Sequence, residues 1–232
     1  MKPQAILFDL DDTLWPIAPV IAEAELTLHA WLAEHAPKVA AQFSIDALRS
    51  HRAELAGQQP ELLIDLGALR RASLQAAFAA AGEDPQRVEE AMRHFFTARN
   101  AVTPYDDVLP GLLKLRHQVQ LGTISNGNAD LEVIGLAHHF KVSMAAAHFG
   151  KAKPDPAIFR AACAALGVAP AAAVYVGDDL LLDVAGAQRA GLRAVWMNRS
   201  GSAAHVAAGI APDAICASLD ELLAWLEQQL AE

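Results

Sequence analysis

Short runs of apolar, β-prone residues recur along the chain, and polar or glycine residues follow each of them. Continuous apolar runs with this punctuation are typical of strands that are buried on both faces of a parallel sheet. The pattern predicts strands at Ala5–Phe8, Val119–Ile124, Val142–Ala146, Val174–Val176 and Ala194–Met197.

Helical segments are predicted between the later strands. Leu109–His117 carries leucines at helical spacing after a Pro-Gly start, and Pro156–Leu166 opens with a proline, which suits the first turn of a helix. Asp183–Ala190 is followed by Gly191, a candidate C-cap glycine. Because strands that alternate with helices form βαβ units, the sequence predicts an α/β fold with a doubly wound, Rossmann-like parallel sheet.

The connection between the first two strands is long and contains no convincing strand. Residues 16–104 show amphipathic helical patterns, and Pro37 is expected to end the first of them. The predicted helices are Ile17–His35, Ile45–Ala56, Glu61–Ala81 and Gln86–Arg99. A helical insertion of this size favours a second domain, so we expect an α/β core of residues 1–15 and 105–232 and a helical cap of residues 16–104.

An acidic cluster follows the first predicted strand directly: Asp9, Asp11 and Asp12. Carboxylates this close repel one another and raise one another's pKa unless a cation compensates. Ligands of open α/β sheets bind outside the carboxyl ends of the strands, where this cluster is expected to lie. The structural alternative is a solvated acidic turn, or a helix N-cap supplied by Asp12 or Thr13.

Polar residues also follow later segments, and they comprise Ser125 and Asn126, then Lys153, then Asp178, Asp179 and Asp183. Taken singly, each has an ordinary explanation: Ser125 as a turn or cap, Lys153 as a solvated lysine, and Asp179 as an acid that suits a helix N-terminus. Their order along the chain, an acidic cluster, a serine, a lysine and a second acidic cluster, favours one shared site instead.

In this order the residues resemble the motifs of the haloacid dehalogenase superfamily, most of whose members are phosphatases. Asp9–Thr13 is similar to the first motif, Asp-x-Asp-x-Thr, Ser125 to the second and Lys153 to the third. Asp178 and Asp183 fit the fourth motif, Gly-Asp-x-x-x-x-Asp. The resemblance covers nearly the whole chain, and the helical insertion stands where one branch of the superfamily carries its cap.

The resemblance implies a Mg²⁺-dependent phosphatase that acts through an aspartyl-phosphate. Asp9 would be the nucleophile, and Asp11 the general acid for the leaving group and then the base that activates water. Oxygen ligands suit Mg²⁺, and by resemblance they are Asp9, the carbonyl of Asp11, and Asp178. Asp183 would act through a water molecule or from outside the ligand shell.

The same resemblance implies a phosphate-binding set. Thr13, Ser125, the N–H group of Asn126 and Lys153 are expected to hold phosphoryl oxygens, where fixed donors stabilise charge. The expected substrate is a small phosphorylated metabolite.

Two residues depart from the superfamily's pattern. Asp12 stands where relatives often have glycine, and Asp179 stands where they often have serine. Asp179 offers a second pairing with Asp183, so the sequence leaves open whether Asp178 or Asp179 is the closer metal ligand.

Other side chains near these motifs have two interpretations each. Trp15, just beyond the acidic loop, is expected to pack in the core, with contact to substrate or cap as the alternative. Most of the arginines in the insertion are expected to be solvated, with binding of an anionic substrate tail as the alternative. They are Arg49, Arg52, Arg70 and Arg71.

Three other functions compete with a phosphatase. A phosphomutase shares the whole site. A haloacid dehalogenase shares the fold and the nucleophile but needs neither a metal nor an acid two residues further on, so Asp11 argues against it. A catalytically silent binding protein would not need the complete set of motif residues.

The composition and net charge of the chain exclude several classes of protein and of binding partner. With 53% hydrophobic and 19% charged residues the chain has enough apolar residues for a core. A net charge of −9 argues against nucleic acid or an anionic membrane as a partner. Two cysteines do not form a disulfide framework.

Asp9 interrupts any signal-peptide core, and the apolar runs are too short for a membrane span, so we expect a cytoplasmic protein. No pattern predicts an oligomeric state.

Overall fold

Six parallel strands form one sheet in the order β3-β2-β1-β4-β5-β6. The computed structural model describes residues 1–201 and 210–231. The strands are β1 Ala5–Phe8, β2 Gln120–Ser125, β3 Val142–Ala145, β4 Ala173–Gly177, β5 Arg193–Met197 and β6 Ala214–Cys216. This strand order is that of a doubly wound, Rossmann-like sheet, which confirms the predicted α/β fold.

The sequence did not predict strand β6. It has only three residues at the edge of the sheet, so its apolar run is too short to stand out, and Ile215 in its middle is exposed. Within the core predicted for 105–232, residues 202–209 and 232 lie outside the described residues.

The chain divides into two compact units. The core unit comprises Met1–Pro16, Thr103–Gly127 and Leu131–Glu232, and the helical unit comprises Ile17–Val102 and Asn128–Asp130. The sequence gives no sign that the short second segment belongs to the helical unit. Its Asp130 N–H donates to Asn100 Oδ1 over 2.9 Å.

In the helical unit, five α-helices pack around a core that includes Leu32, Phe78 and Phe95. They are α1 Ile17–His35, α2 Pro37–Gln42, α3 Ile45–Gln58, α4 Leu66–Ala81 and α5 Val88–Arg99. Pro37 follows the end of α1, as predicted, and it also begins α2.

The helix predicted over Glu61–Ala81 is divided in the structure. A 3₁₀ turn at Pro60–Ile64 precedes α4, because the Asp65 side chain caps α4 by accepting the Ala68 N–H over 2.9 Å.

The helices of the core unit alternate with its strands. They are α6 Val108–Leu115, α7 Leu131–Ile134, α8 Ala146–Phe149, α9 Pro156–Leu166, α10 Gly186–Ala190 and α11 Leu219–Ala231. The segment predicted as a helix from Asp183 begins as a π-helical turn, Leu180–Ala185, before α10. Gly191 has a φ of 94° and caps α10, as predicted. Among the described residues, every helix is too short or too polar to span a lipid bilayer.

Strands β1 and β4 are neighbours in the middle of the sheet, and their residues are completely buried. Phe8 at the end of β1 is in register with Val176 of β4. Asp9 and Asp178, which follow these strands, therefore leave the sheet at the same edge. This is the edge where ligands bind in open α/β sheets.

Candidate active site

Three carboxylates meet at the carboxyl ends of β1 and β4. Asp9, Asp178 and Asp183 each place one carboxylate oxygen within 4.8 Å of the oxygens of the other two. The Asp9 N–H donates to the Val176 carbonyl over 2.8 Å, which holds Asp9 against β4. The structure thus brings Asp9 and Asp183 together, although they are 174 positions apart in the sequence.

Burial and mutual repulsion raise the pKa values of this acidic cluster. Burial is the largest cause for all three groups, and it raises the pKa of Asp9 above its usual value. Burial together with the charges of Asp9 and Asp183 raises the pKa of Asp178 to about 8. The pKa of Asp183 rises to about 6 because burial outweighs the opposing effect of Lys153. Oxygen donors in this arrangement fit a hard divalent cation such as Mg²⁺.

Lys153 is buried in the middle of the site, although a solvated surface lysine was the alternative. Its Nζ lies 2.6 Å from Asp9 Oδ1, 2.7 Å from Asp183 Oδ1 and 3.0 Å from the Tyr175 hydroxyl. An ammonium group has three N–H donors, and these three contacts use all of them. Burial lowers the pKa of Lys153, but the charges of Asp183 and Asp9 raise it by more, so the amine stays charged.

Tyr175 supports Lys153 from within strand β4. Its hydroxyl accepts from Lys153 and donates to the Ile124 carbonyl over 3.1 Å, and its ring packs edge-on against Phe159. Burial and the charges of Asp183 and Asp9 raise the pKa of Tyr175 well above its usual value, so the hydroxyl keeps its proton. The sequence motifs do not include this residue. The available signal was one hydroxyl in an otherwise apolar strand, since a buried tyrosine needs a hydrogen-bond partner.

Asp183 is held on both carboxylate oxygens. Oδ1 accepts from Lys153, and Oδ2 accepts from the Asp179 N–H over 3.0 Å. The neighbouring Gly177 leaves the space that this carboxylate fills, because a Cβ atom at Gly177 would lie 2.3 Å from Asp183 Oδ2. Through these contacts, Asp183 holds both the Lys153 ammonium group and the backbone at Asp179.

The structure distinguishes Asp178 from Asp179. The Asp179 side chain accepts from the N–H groups of Leu181 and Leu182 over 2.7 and 2.8 Å, so it caps the helical turn that follows. Asp178 instead belongs to the cluster of three carboxylates, and its carbonyl accepts from Trp196 Nε1 over 2.7 Å.

The loop after Asp9 turns back on itself. Asp12 has a φ of 58°, in the left-handed region that favours glycine, and its N–H donates to the Trp15 carbonyl over 2.7 Å. Trp15 is fully buried, as its expected packing role requires, and its Nε1 also donates to Asp11 Oδ1 over 2.8 Å. Sequence analysis did not foresee that second contact.

The phosphate-binding candidates after β2 are tied to Lys153 through the backbone. Asn126 Nδ2 donates to the Lys153 carbonyl over 2.9 Å, and the Lys153 N–H donates to Asn126 Oδ1 over 2.8 Å. Ser125 is buried, and its hydroxyl accepts from the Gly127 N–H over 2.9 Å. Thr13 is also buried, with its hydroxyl 3.5 Å from Asp178 Oδ1.

A comparison with models of protein families shows to which family the chain belongs. A sequence model described as "haloacid dehalogenase-like hydrolase" matches residues 3–191, which include every residue of this site. The chain belongs to that family. The resemblance found in the motifs is thereby confirmed, and the chain is a hydrolase of the haloacid dehalogenase-like type.

Several similar curated proteins are named phosphatases. The chain is 31% identical to the 5-amino-6-(5-phospho-D-ribitylamino)uracil phosphatase of Escherichia coli K12, over 83% of this chain and 82% of that protein. It is 32% identical to the glyceraldehyde 3-phosphate phosphatase of Methanopyrus kandleri, over 84% of each. It is 38% identical to the phosphoserine phosphatase of Thermus thermophilus, but this match spans only 57% of the chain and 56% of that protein.

Solved structures of both activities share this hydrolase fold. A 2-haloacid dehalogenase from Pseudomonas syringae has a TM-score of 0.91 at 39% identity, covering 97% of this chain and 99% of that one. A phosphatase of the same family from Thermococcus onnurineus has a TM-score of 0.71 at 28% identity, covering 96% and 97%.

In the helical unit of this hydrolase, the expectation of solvated arginines is wrong for Arg70. Glu25 is buried, and it is paired with Arg49 at 2.6 Å, Arg52 at 2.9 Å and Arg70 at 3.6 Å. Burial and the charge of Arg52 lower the pKa of Arg70 to about 9, despite the opposing charge of Glu25. Arg71 instead forms an exposed pair with Glu89 at 2.6 Å.

Proposed function

We propose that this hydrolase is a Mg²⁺-dependent phosphatase that cleaves a small phosphorylated metabolite through an aspartyl-phosphate. The observation that carries the proposal is the meeting of Asp9, Asp178 and Asp183 at one strand edge, beside a loop that bears Asp11. A buried cluster of three carboxylates needs more positive charge than Lys153 supplies. The names of the similar curated phosphatases point the same way.

Asp9 is the proposed nucleophile. Lys153 holds Asp9 Oδ1, which fixes the direction of the other carboxylate oxygen. In the first step an Asp9 oxygen bonds to phosphorus, the ester P–O bond breaks, and Asp11 gives its proton to the leaving oxygen. In the second step water bonds to phosphorus, its proton passes to Asp11, and the bond from Asp9 to phosphorus breaks.

The proposed Mg²⁺ ligands are Asp9, Asp178 and the carbonyl of Asp11. When bound, the cation would neutralise the phosphate dianion, which otherwise repels an anionic nucleophile. Asp183, whose two oxygens are already engaged, is assigned the task of orienting Lys153 and the loop at Asp179. Such neighbours of a metal site typically tune its affinity and activity.

Ser125 and the N–H of Asn126 are the proposed donors to phosphoryl oxygens. The ring of hydrogen bonds between Asn126 and Lys153 holds this loop in place for that task. The contacts of Lys153 favour a role in fixing Asp9 and Asp183 over direct phosphate binding, because its three donors are engaged within the protein. Thr13, 3.5 Å from Asp178, is likewise assigned to supporting that carboxylate.

The helical unit is proposed to act as the cap predicted for residues 16–104. Two crossings connect this insertion to the core, and such paired linkers permit a closing motion that excludes water and bulky substrates. This favours small soluble phosphomonoesters as substrates.

Phosphate release tests this proposal. Purified protein is incubated with an aryl phosphate and with a panel of sugar phosphates, nucleotides and phosphoserine, in Mg²⁺ and then in excess chelator. We expect release that requires Mg²⁺ and that is lost in Asp9→Asn, since an amide is no nucleophile. The matched control is Asp46→Asn, an exposed aspartate of the helical unit, which should leave turnover unchanged. Full activity in chelator, after the removal of metal has been verified, would exclude the metal assignment.

A haloacid dehalogenase is the second candidate, because the 39% identical solved structure bears that name. On that alternative, Asp9 displaces a halide from carbon, and water then hydrolyses the resulting ester. Such a reaction has no leaving oxygen for Asp11 to protonate and no phosphate dianion for a cation at Asp178 to neutralise, which favours the phosphatase. Chloride release from 2-chloropropionate in chelator, with no phosphate release from any ester, would establish the dehalogenase instead. Transfer of the phosphoryl group to a second metabolite without free phosphate would establish a phosphomutase.

A further inference from the structure

We infer that Trp15 is a positioning residue for the general acid, acting through the hydrogen bond from its indole N–H to Asp11. The inference rests on the proposed phosphatase function, in which Asp11 protonates the leaving group. It adds to that function a task for a side chain that was expected to pack in the core, with contact to substrate or cap as the alternative.

The contact is direct, and its donor is fully buried. Trp15 Nε1 lies 2.8 Å from Asp11 Oδ1, and Trp15 is 0% exposed. Backbone contacts also link Trp15 to this loop. The Asp12 N–H donates to the Trp15 carbonyl over 2.7 Å, and Asp11 forms a β-bridge with Trp15. The left-handed conformation of Asp12 makes the reversal that returns the indole to the carboxylate. A buried indole N–H that lost this acceptor would be left unsatisfied, which costs free energy.

The chemistry of the donor determines what the bond does. An indole N–H donates and never accepts, so Asp11 Oδ1 is an acceptor in both protonation states of the carboxyl group. The proton of the neutral acid is therefore placed on Oδ2. Oδ2 is then the oxygen that gives the proton to the leaving group and later takes one from water. Without the indole donor, Oδ1 loses the hydrogen bond that distinguishes it from Oδ2.

A purely structural role for Trp15 makes a different prediction. Loss of packing would impair the hydrolysis of all esters by a similar factor, because all of them need the same fold and the same nucleophile. Loss of a positioned acid affects mainly esters with poor leaving groups. An alkoxide needs a proton as it leaves, whereas a nitrophenolate does not.

The experiment compares kcat/KM for an alkyl phosphate and for p-nitrophenyl phosphate in wild type and in Trp15→Phe, which keeps an aromatic ring and removes the N–H. We expect the loss for the alkyl ester to exceed the loss for the aryl ester by about 10-fold, the effect of one hydrogen bond to a charged group. Trp31→Phe is the matched control, a buried tryptophan of α1 in the helical unit, and it should leave the ratio of the two rates unchanged.

A second comparison asks whether Trp15 acts through Asp11. In an Asp11→Asn background, Trp15→Phe should produce no further change in the ratio of the two rates, because the group it positions has been removed. If Trp15→Phe fails to fold, as judged by circular dichroism, Trp15→Met replaces it, since a flexible apolar side chain also lacks the donor.

The outcomes separate this inference from the function beneath it. Equal losses for both esters in an active, folded variant would overturn the positioning role and leave the phosphatase assignment standing. A further change of the ratio in the Asp11→Asn background would also overturn it. A wild-type protein that releases phosphate from neither ester would overturn the proposed function, and this inference with it.

Discussion

Lys153 and Asp9 are 144 positions apart in the sequence, yet the Lys153 ammonium nitrogen lies 2.6 Å from Asp9 Oδ1. The same nitrogen lies 2.7 Å from Asp183 Oδ1, so one buried cation joins the acidic loop after β1 to the acidic loop after β4. The charge balance of the site therefore depends on Lys153.

Replacing Lys153 by methionine should destabilise the fold as well as the site. The change leaves Asp9 and Asp183 buried without their shared cation, and breaking a buried ion pair costs about 3–5 kcal/mol. Urea denaturation at neutral pH measures the loss. The matched control is Lys151→Met, which removes an exposed partner of Asp155 and should change the free energy of unfolding by less than about 1 kcal/mol. Equal stability of the two variants would contradict the assigned role.

Gly177→Ala should impair activity although it replaces no charged residue. The new Cβ would lie 2.3 Å from Asp183 Oδ2, so Asp183 or the backbone of β4 must move. We expect phosphate release to fall about 10–100-fold, as is typical when a group that supports a metal site is displaced. Gly57→Ala is the control, because nothing lies within 4 Å of a Cβ there and alanine suits the helix. A Gly177→Ala variant with wild-type kinetics would show that Asp183 needs no fixed position.

Mg²⁺ binding should strengthen as pH rises toward about 8, the value to which burial and neighbouring carboxylates raise the pKa of Asp178. Below that pH the carboxyl group holds a proton that the cation must displace, and above it the proton is already gone. The dissociation constant should fall by up to about 10-fold per pH unit and then level off. Calorimetric titrations with Mg²⁺ across this range measure the slope. The Asp178→Asn variant should bind Mg²⁺ weakly and with a flatter dependence on pH. A wild-type affinity for Mg²⁺ that does not change with pH would contradict the assignment.

The helical unit offers a separate test of pH dependence at Glu25. Burial raises the pKa of this carboxyl group, but the hydrogen bonds from Arg49 and Arg52 lower it by more, so its pKa lies below the usual value. A carboxyl group whose pKa is lowered in the folded state stabilises the fold above its unfolded-state pKa. That contribution is lost as pH falls through the folded-state value.

Glu25→Gln should therefore lower Tm clearly at neutral pH, and the difference from wild type should shrink below about pH 4. Glu89→Gln is the control, since Glu89 forms an exposed pair with Arg71 and such pairs contribute little. Thermal denaturation followed by circular dichroism at several pH values gives both curves. A Tm difference for Glu25→Gln that stays constant into acid would rule out the ion cluster as its cause.

Much of the fold follows from local pattern. The apolar runs at Ala5–Phe8 and Val174–Val176 identify central strands, because a strand buried on both faces has no polar positions. Strand β6 escapes such reasoning, since an edge strand with the exposed Ile215 is stabilised by its neighbour β5 and not by a pattern of its own. Pro37 shows the same limit, because proline is compatible both with the end of one helix and with the first turn of the next.

The candidate site also has a part that the sequence predicts and a part that only the folded structure shows. The residue types and their order already indicate carboxylate chemistry at the strand ends, because parallel strands bring their carboxyl ends to one edge whatever the details of packing. The choice between Asp178 and Asp179 required the folded loop. The two carboxylates are chemically equal and adjacent, and they differ only once Asp179 meets the free N–H groups of Leu181 and Leu182.

The contacts of Lys153, Tyr175 and Trp15 were beyond the reach of the sequence for one physical reason. A hydrogen bond needs a donor–acceptor distance that is right to within a few tenths of an ångström, and the separation of the two groups along the chain does not specify that distance. Lys153 contacts both Asp9 and Tyr175 because β1, which Asp9 follows, lies beside β4, which contains Tyr175. Trp15 contacts Asp11 because Asp12 adopts a left-handed turn. Composition and spacing specify which chemical groups the chain brings to the sheet edge, and packing in three dimensions specifies which of them touch.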